Sequence, residues 1–456
     1  MKEKAVVAKH YWYRLFSIVV ALTIVSAVSG VGIPSVAARQ DTQATITMWL
    51  DTAGGTEGAD CTIANVIEPF NAASDTVRVD AVMQTNTYDA TRTALAGGAG
   101  PDIVSTPGPS EGIQLGKAGL LLPLDDFAEQ FGWAETMAPW ALSLGAVDGQ
   151  LYSLPSEVET LVLYYNKTLF EEQGWDVPTT LDELMTLSAT IAEAGIIPFA
   201  HANAEFRRAN EFYVDAVLNH GPGPQKFYDA LTGEAQWTDP EFAAAIELLN
   251  QMQMNGWFMG GLENYYTATS AETGAALGEG EAAMSIDGTW YLSDINDYFG
   301  EAAGNNNEWA WAPIPSTTGE AIFTLGLGST YSINKNSQNP EAAAEFLTYY
   351  FSPETQAKLV TNCGAAPAPV TLGADVLPDL DPRVVALREA LTEASNAGNY
   401  GYTTWTFFPA ATDTFLAETI ERVWSGEMTV QQYLEGMQAS FDEEVANGTQ
   451  PPLPAR

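Results

Sequence analysis

An α/β fold of open sheets flanked by helices is predicted by three observations. Residues 44–104 run strand, helix, strand, helix, strand, an order that builds a sheet with ligands expected at the carboxyl ends of its strands. Residues 150–167, QLYSLPSEVETLVLYYNK, set Glu157 and Glu159 directly before the apolar run Leu161–Tyr165. The chain has 456 residues, 46% of them hydrophobic, which suffices for two or three cores.

The first residues read as a leader. Lys2, Lys4, Lys9 and Arg14 form a basic region, Leu15 to Ile33 is apolar, and small residues at 35–38 fit a cleavage site. A secretory signal peptide over residues 1–38 is expected. It has neither a twin arginine nor a cysteine near the cut, which argues against twin-arginine export and lipid attachment. The apolar run approaches spanning length, so an uncleaved anchor is the alternative. Later segments are not apolar enough to cross a bilayer, and the remaining chain is expected to be soluble and extracytoplasmic.

Without the leader, 14 Lys+Arg face 57 Asp+Glu, a net charge of −43. Nucleic acid and anionic lipid need basic patches, so neither is expected as a partner. The acids are spread along the chain, so their number describes solubility and not a ligand.

Residues 44–50, ATITMWL, alternate as a first strand. Ile63 to Asn71 has helical spacing, Thr76 to Met83 alternates again, Tyr88 to Leu95 is a short helix, and Pro101–Val104 starts a third strand. Trp49, Asp51, Thr52, Asn86, Tyr88, Ser110 and Glu111 fall in the loops after these strands. Gly97, Gly98 and Gly100 precede a strand and no Gly-Lys-Ser/Thr follows, so they are a helix cap and turn and not a phosphate loop.

In the central stretch Pro155 is expected to break regular structure. The acids at 157 and 159 are either a solvated strand end or carboxylates offered to a cleft where the chain crosses between two lobes. Thr180 and Glu183 form a capping box for a helix to about Ala194. Helices are also expected over 205–219 and 239–255. Ala282–Ile286 is a strand, Asp287–Gly288 a turn, and Trp290 the start of a helix, its ring either packed or facing a cleft. Trp309–Pro315 and Phe323–Ile333 are strands, the second interrupted by Gly326 and Gly328, where backbone or ligand approaches closely. Helices follow Asn339 and Ser352. The stretch 398–408 holds Tyr400, Tyr402, Trp405, Phe407 and Phe408, either a ligand platform or packing beneath the second lobe.

Cys61 and Cys363 either pair or are separate buried thiols. His10, His201 and His220 are scattered, so no zinc site and no cofactor is expected.

Together GPDIV (100–104), AGLLLPLDDF (118–127), LYSLPSEVETLVLYYNKTLFEEQG (151–174), VPTTLDELM (177–185), GEAAMSIDGTW (280–290), NPEAAAEFL (339–347) and SGEMTVQQYL (425–434) carry a resemblance. The chain resembles the extracytoplasmic solute-binding proteins of ABC importers, in the carbohydrate-binding group that includes maltose-binding protein. The resemblance covers residues 44–440. It implies a two-lobed periplasmic-binding-protein fold with a ligand cleft at the hinge. Residues 41–157 and 322–375 would form the N-terminal lobe, and 158–321 and 376–456 the C-terminal lobe. Both cysteines then fall in the first lobe, which favours a disulfide. Function would be capture of a sugar by a monomeric receptor that delivers it to the membrane permease, with no chemistry on the ligand.

Position by position, Glu159 matches a carboxylate that binds sugar hydroxyls and Trp290 a stacking tryptophan. Ser110 and Glu111 fall where polar contacts are expected, but the family's acid-plus-arginine pair is missing there. Trp405 stands in for a second aromatic platform, with Asp413 on the aligned helix. Asp287 and Gly326 complete the candidate set with Trp49, Asp51, Asn86 and Tyr88. A polyamine, amino acid or polyol is the rival ligand class, and a secreted glycoside hydrolase the rival from another class. Phosphate and carboxylate ligands are disfavoured, since Lys167 and Arg92 are the nearest basic residues in sequence.

Overall fold

The computed structural model describes residues 43–52, 56–201, 203–264, 266–370 and 381–454. The leader expected over 1–38 lies outside the described residues. Strands are β1 (Ala44–Asp51), β2 (Val77–Gln84), β3 (Ile103–Thr106), a small hairpin of β4 (Ala146–Val147) and β5 (Gln150–Leu151), β6 (Leu154–Glu159), β7 (Leu161–Asn166), β8 (Ile197–Phe199), β9 (Ala282–Gly288), β10 (Trp309–Ala312), β11 (Phe323–Ile333) and β12 (Tyr400–Tyr402). One sheet runs β12-β11-β3-β1-β2 with β6 also paired to β11, and a second runs β10-β7-β9-β8.

The first sheet follows from simple alternation. Ile46, Met48 and Leu50 of β1 are buried and pack with Val77, Val79, Ile103 and Ile333 in one core. On the other side of β1, the backbone N–H and hydroxyl of Thr47 donate to Asp102 Oδ2 at 2.8 and 2.9 Å, and Ser337 donates to Asp102 Oδ1 at 2.6 Å. The acid of the GPDIV motif therefore ties β3 to β1 and to the turn after β11. Helix Thr87–Ala96 ends at Gly97, as the glycine run predicts.

β7 has no polar face to show. Leu161 and Leu163 enter one core and Val162 and Tyr164 another, all fully buried, because helices cover both sides of the second sheet. Burial on both faces explains why LVLYY reads as a continuous apolar run and not as an alternation. Only Thr160 separates β6 in the first sheet from β7 in the second. The sheet crossing expected in this stretch thus takes place within one residue.

Several local expectations are corrected. Pro155 does not interrupt structure: it lies within β6, opposite Thr330. Among the described residues β6 has a strand on one side only, so a missing N–H is tolerated there. Asp287 and Gly288 are not a turn but the end of β9, held by pairing of Gly288 with Leu161. Trp290 lies in a 3₁₀ turn, Thr289–Ser293, and does not open an α-helix. The helix expected over 205–219 is a 3₁₀ turn, Arg207–Ala209, followed by Asn210–His220. The helical stretch 57–73 passes through a π turn, Ile63–Ile67, shortly before Pro69, which has no N–H to donate. Thr180 and Glu183 do form their capping box.

Cys61 and Cys363 are joined in a disulfide across a sequence separation of 302 residues. Loss of a native bridge costs about 2–5 kcal/mol, and a loop this long points to the upper end of that range on reduction. Melting with and without a thiol reductant measures this, and an unchanged melting temperature would contradict it. Among the described residues no helix is long and apolar enough to cross a membrane.

Candidate functional site

A cavity of about 390 Å³ opens where the carboxyl ends of the first sheet meet the second. β1 contributes Trp49 and Asp51, and helix Thr87–Ala96 contributes Tyr88, whose hydroxyl lies 3.1 Å from Ser329 Oγ. β6 supplies Glu157 and Glu159, two residues apart and hence on one face of the strand. From the other side come Glu211 and Phe212 of helix Asn210–His220, Asp287 at the end of β9, and Trp290 after it.

Trp405 reaches the cavity because helix Asn210–His220 clamps the segment before it. Glu211, Asp215 and Asn219 are four residues apart, so they share a helix face. Glu211 accepts from the Thr404 hydroxyl at 2.7 Å, Asp215 accepts from the Thr404 N–H at 2.9 Å, and Asn219 bonds both backbone groups of Tyr402. The indole of Trp405 then donates to Glu159 Oε2 at 3.0 Å. Gly328 leaves room for this carboxyl: a Cβ there would lie 1.6 Å from it.

Seven of the candidate residues are brought together in this cavity, namely Trp49, Asp51, Tyr88, Glu159, Asp287, Trp290 and Trp405. Asn86 and Glu111 line a smaller adjoining pocket of about 40 Å³. Three others are placed elsewhere. Ser110 is buried and donates to the Trp405 carbonyl at 2.8 Å. Gly326 faces Thr403, where a Cβ would meet the hydroxyl at 2.1 Å, so its smallness serves packing. Asp413 is buried and paired with Arg208. Of the aromatic stretch 398–408, only Trp405 lines the cavity; Phe407 and Phe408 are core residues, and Tyr402 stacks on Phe227. Sequence reasoning left out Glu211, Phe212, His201 and Tyr331. Glu157 was within reach, because a period of two from Glu159 puts it on the same face.

Burial sets the electrostatics. Burial pushes the carboxyls of Glu157 and Glu159 up, Glu157 to about 7, and the neighbouring Glu157 raises Glu159 further. Burial raises Asp287 to about 7 against the donated N–H of Gly288, and lowers His201 to about 4, so that ring is neutral. In the adjoining pocket, Arg92 pairs with Asp89 and Glu111, and Arg208 with Glu111, Glu211 and Asp413. Among the described residues no group of three or more His, Cys, Asp or Glu is placed to hold a metal.

Raised carboxyls have a definite sign in linkage. Between pH 4.5 and about 7 folded Glu157 keeps a proton that the unfolded chain releases, so stability falls as pH rises through that window. Asp287 acts in the same sense. The ligand-free protein is expected to melt higher at pH 5 than at pH 8 at fixed ionic strength, with a shallower slope in Glu157→Gln. A slope unchanged by that substitution would remove Glu157 from the account.

The profile of the bacterial extracellular solute-binding proteins matches residues 65–382. The chain belongs to this family. Relatives of this solute-binding protein include a probable sugar-binding periplasmic protein of Brucella suis biovar 1, 22% identical over 72% of this chain and 75% of that one. The diacetylchitobiose binding protein NgcE of Streptomyces coelicolor is 22% identical over 58% of this chain and 57% of its own. The alignment thus spans little more than half of that relative. Among solved structures, a chitin oligosaccharide binding protein superposes with a TM-score of 0.72 at 22% identity, covering 89% of this chain and 99% of that one. Maltose-bound T. maritima MalE3 gives 0.67 at 20% identity, covering 88% and 100%. The solute-binding protein therefore has the two-lobed fold of these receptors, with a sheet in each lobe and the cavity where the sheets meet.

Proposed function

We propose that this solute-binding protein captures a sugar or small oligosaccharide in the cavity by lobe closure and hands it to a membrane permease of an ABC importer. The observation that carries this is the combination of Trp290 and Trp405 with Glu157, Glu159 and Asp287 around one cavity. Indole faces suit the C–H face of a pyranose, and carboxyls accept from its hydroxyls. The names of the relatives point the same way. The lobes would comprise 41–157 with 322–375, and 158–321 with 376–456, the chain being exported by its leader and acting as a monomer. Ligand bridging both lobes would select the closed form.

No chemistry on the ligand is proposed. Melting of the protein against mono-, di- and oligosaccharides, amino acids and polyamines tests the function, since a native-state ligand raises the melting temperature. A saccharide hit with the sugar recovered intact supports it. Hits from amino acids alone, or sugar products in the mixture, would overturn it.

A further inference from the structure

We infer that the solute is a saccharide bearing a protonated amine, its ammonium group set against Glu157 and Glu159 and its ring against the indoles of Trp290 and Trp405. This rests on the sugar-binding function proposed above and narrows it.

The first observation is an excess of acidic side chains in the cavity wall. Asp51, Glu157, Glu159, Glu211, Asp287 and Asp294 line it, and among the described lining residues there is no lysine or arginine. The two nearby guanidiniums do not correct this. Arg92 and Arg208 line the smaller adjoining pocket and are engaged with Asp89, Glu111 and Asp413, and of the acids named above Arg208 pairs with Glu211. Neutral hydroxyls can donate to these carboxyls but bring no compensating charge, whereas an ammonium brings both.

The second observation is independent of the acids. Phe212, Trp290 and Trp405 form a contiguous aromatic wall of the same cavity, with ring centroids 5.1 Å (Phe212–Trp290), 5.8 Å (Trp290–Trp405) and 6.1 Å (Phe212–Trp405) apart. Aromatic faces are negative, and walls of this kind hold cations. They also distinguish an amino sugar from a bare amine, because a pyranose offers a flat C–H face for them to cover. Trp405 belongs to both features, since its N–H fixes Glu159.

The proton balance is explicit. Glu157 and Glu159 lie two residues apart on one face of β6, and burial raises both carboxyls, Glu157 to about 7, so the pair holds a proton at mildly acidic pH. An incoming ammonium supplies its own N–H donors to both carboxyls, and that proton leaves to solvent. Glu211 and the hydroxyls of Tyr88, Tyr331 and Tyr350 are the other titratable groups around the pair, and none of them is a cation. Binding should therefore release protons, less than one per site, and strengthen as pH rises from 5.5 while the ligand amine stays protonated.

Titration calorimetry of the purified protein decides this with four probes: the β-1,4 glucosamine disaccharide, its N-acetylated form, cellobiose and spermidine. At pH 6.5, in two buffers of different ionisation enthalpy, the glucosamine disaccharide should bind at least about tenfold tighter than either neutral disaccharide, with net proton release. In Glu157→Gln that ratio should collapse towards one. Neutral disaccharides binding as tightly as the amine would overturn the inference and leave the sugar-binding function standing. Spermidine binding as tightly as the amino sugar would overturn the saccharide part. Binding of none of the disaccharides would overturn the inference, while the melting screen decides the sugar-binding function separately.

Discussion

Replacing Arg208 by alanine is expected to cost about 3–5 kcal/mol of stability, as the loss of one partner from a buried ionic group does. Its side chain is 7% exposed, and the acids it touches are no more accessible: Glu111 at 5%, Glu211 and Asp413 at 2%. Arg92 remains 3.7 Å from Glu111, and its other ion pair is with Asp89, so it is already engaged. Burial already lifts Glu111 and Glu211, with Arg208 acting to lower both. Without the guanidinium these carboxyls should take up protons more readily, so the loss should be smaller at pH 5.5 than at pH 7.5. Urea unfolding of both proteins at the two pH values measures this. A loss below about 1 kcal/mol at pH 7.5, the size of an exposed pair, would show that Arg208 is not the compensating charge.

The second large effect falls on binding. Glu159→Ala should weaken the sugar identified by the melting screen by about a hundredfold, which is about 2.7 kcal/mol. Two losses add in that figure. A carboxyl acceptor for a ligand hydroxyl goes, and the Trp405 N–H it held at 3.0 Å is left without its acceptor, freeing the ring to move. Glu159→Gln keeps the shape that Gly328 accommodates and should lose less. Trp290→Ala should weaken binding by about tenfold or more through loss of a ring face alone. Calorimetry on variants whose melting temperatures match the parent separates these from misfolding. Affinity unchanged in both Glu159→Ala and Trp290→Ala would place the ligand elsewhere.

Where the sequence spoke clearly, a short-range rule governed the outcome. β1 alternates because one face meets the core, β7 does not because both faces do, and Thr180 with Glu183 caps a helix through contacts three residues apart. Trp49, Asp51 and Tyr88 could be placed at the cavity because strand ends and the loops after them define it. What stayed hidden depends on partners remote in sequence. Asp413 looks like any helix acid until Arg208 is beside it, and Gly326 looks like a ligand approach until Thr403 fills the space. The aromatics of 398–408 could have been all exposed or all buried; the clamp from Glu211, Asp215 and Asn219 turns Trp405 alone to the cavity. Pro155 was misjudged because whether a strand lies at an edge is a property of the sheet and not of the segment.

The contact between Trp290 and Trp405 has an optical consequence. Their centroids are 5.8 Å apart and their planes cross at 74°, close enough for the two excited states to mix into a single chiral chromophore. Both rings line the cavity, so an occupant that shifts either one alters that mixing. Occupancy is thereby written into the near-ultraviolet circular dichroism of the unlabelled protein, and the receptor carries its own reporter dye.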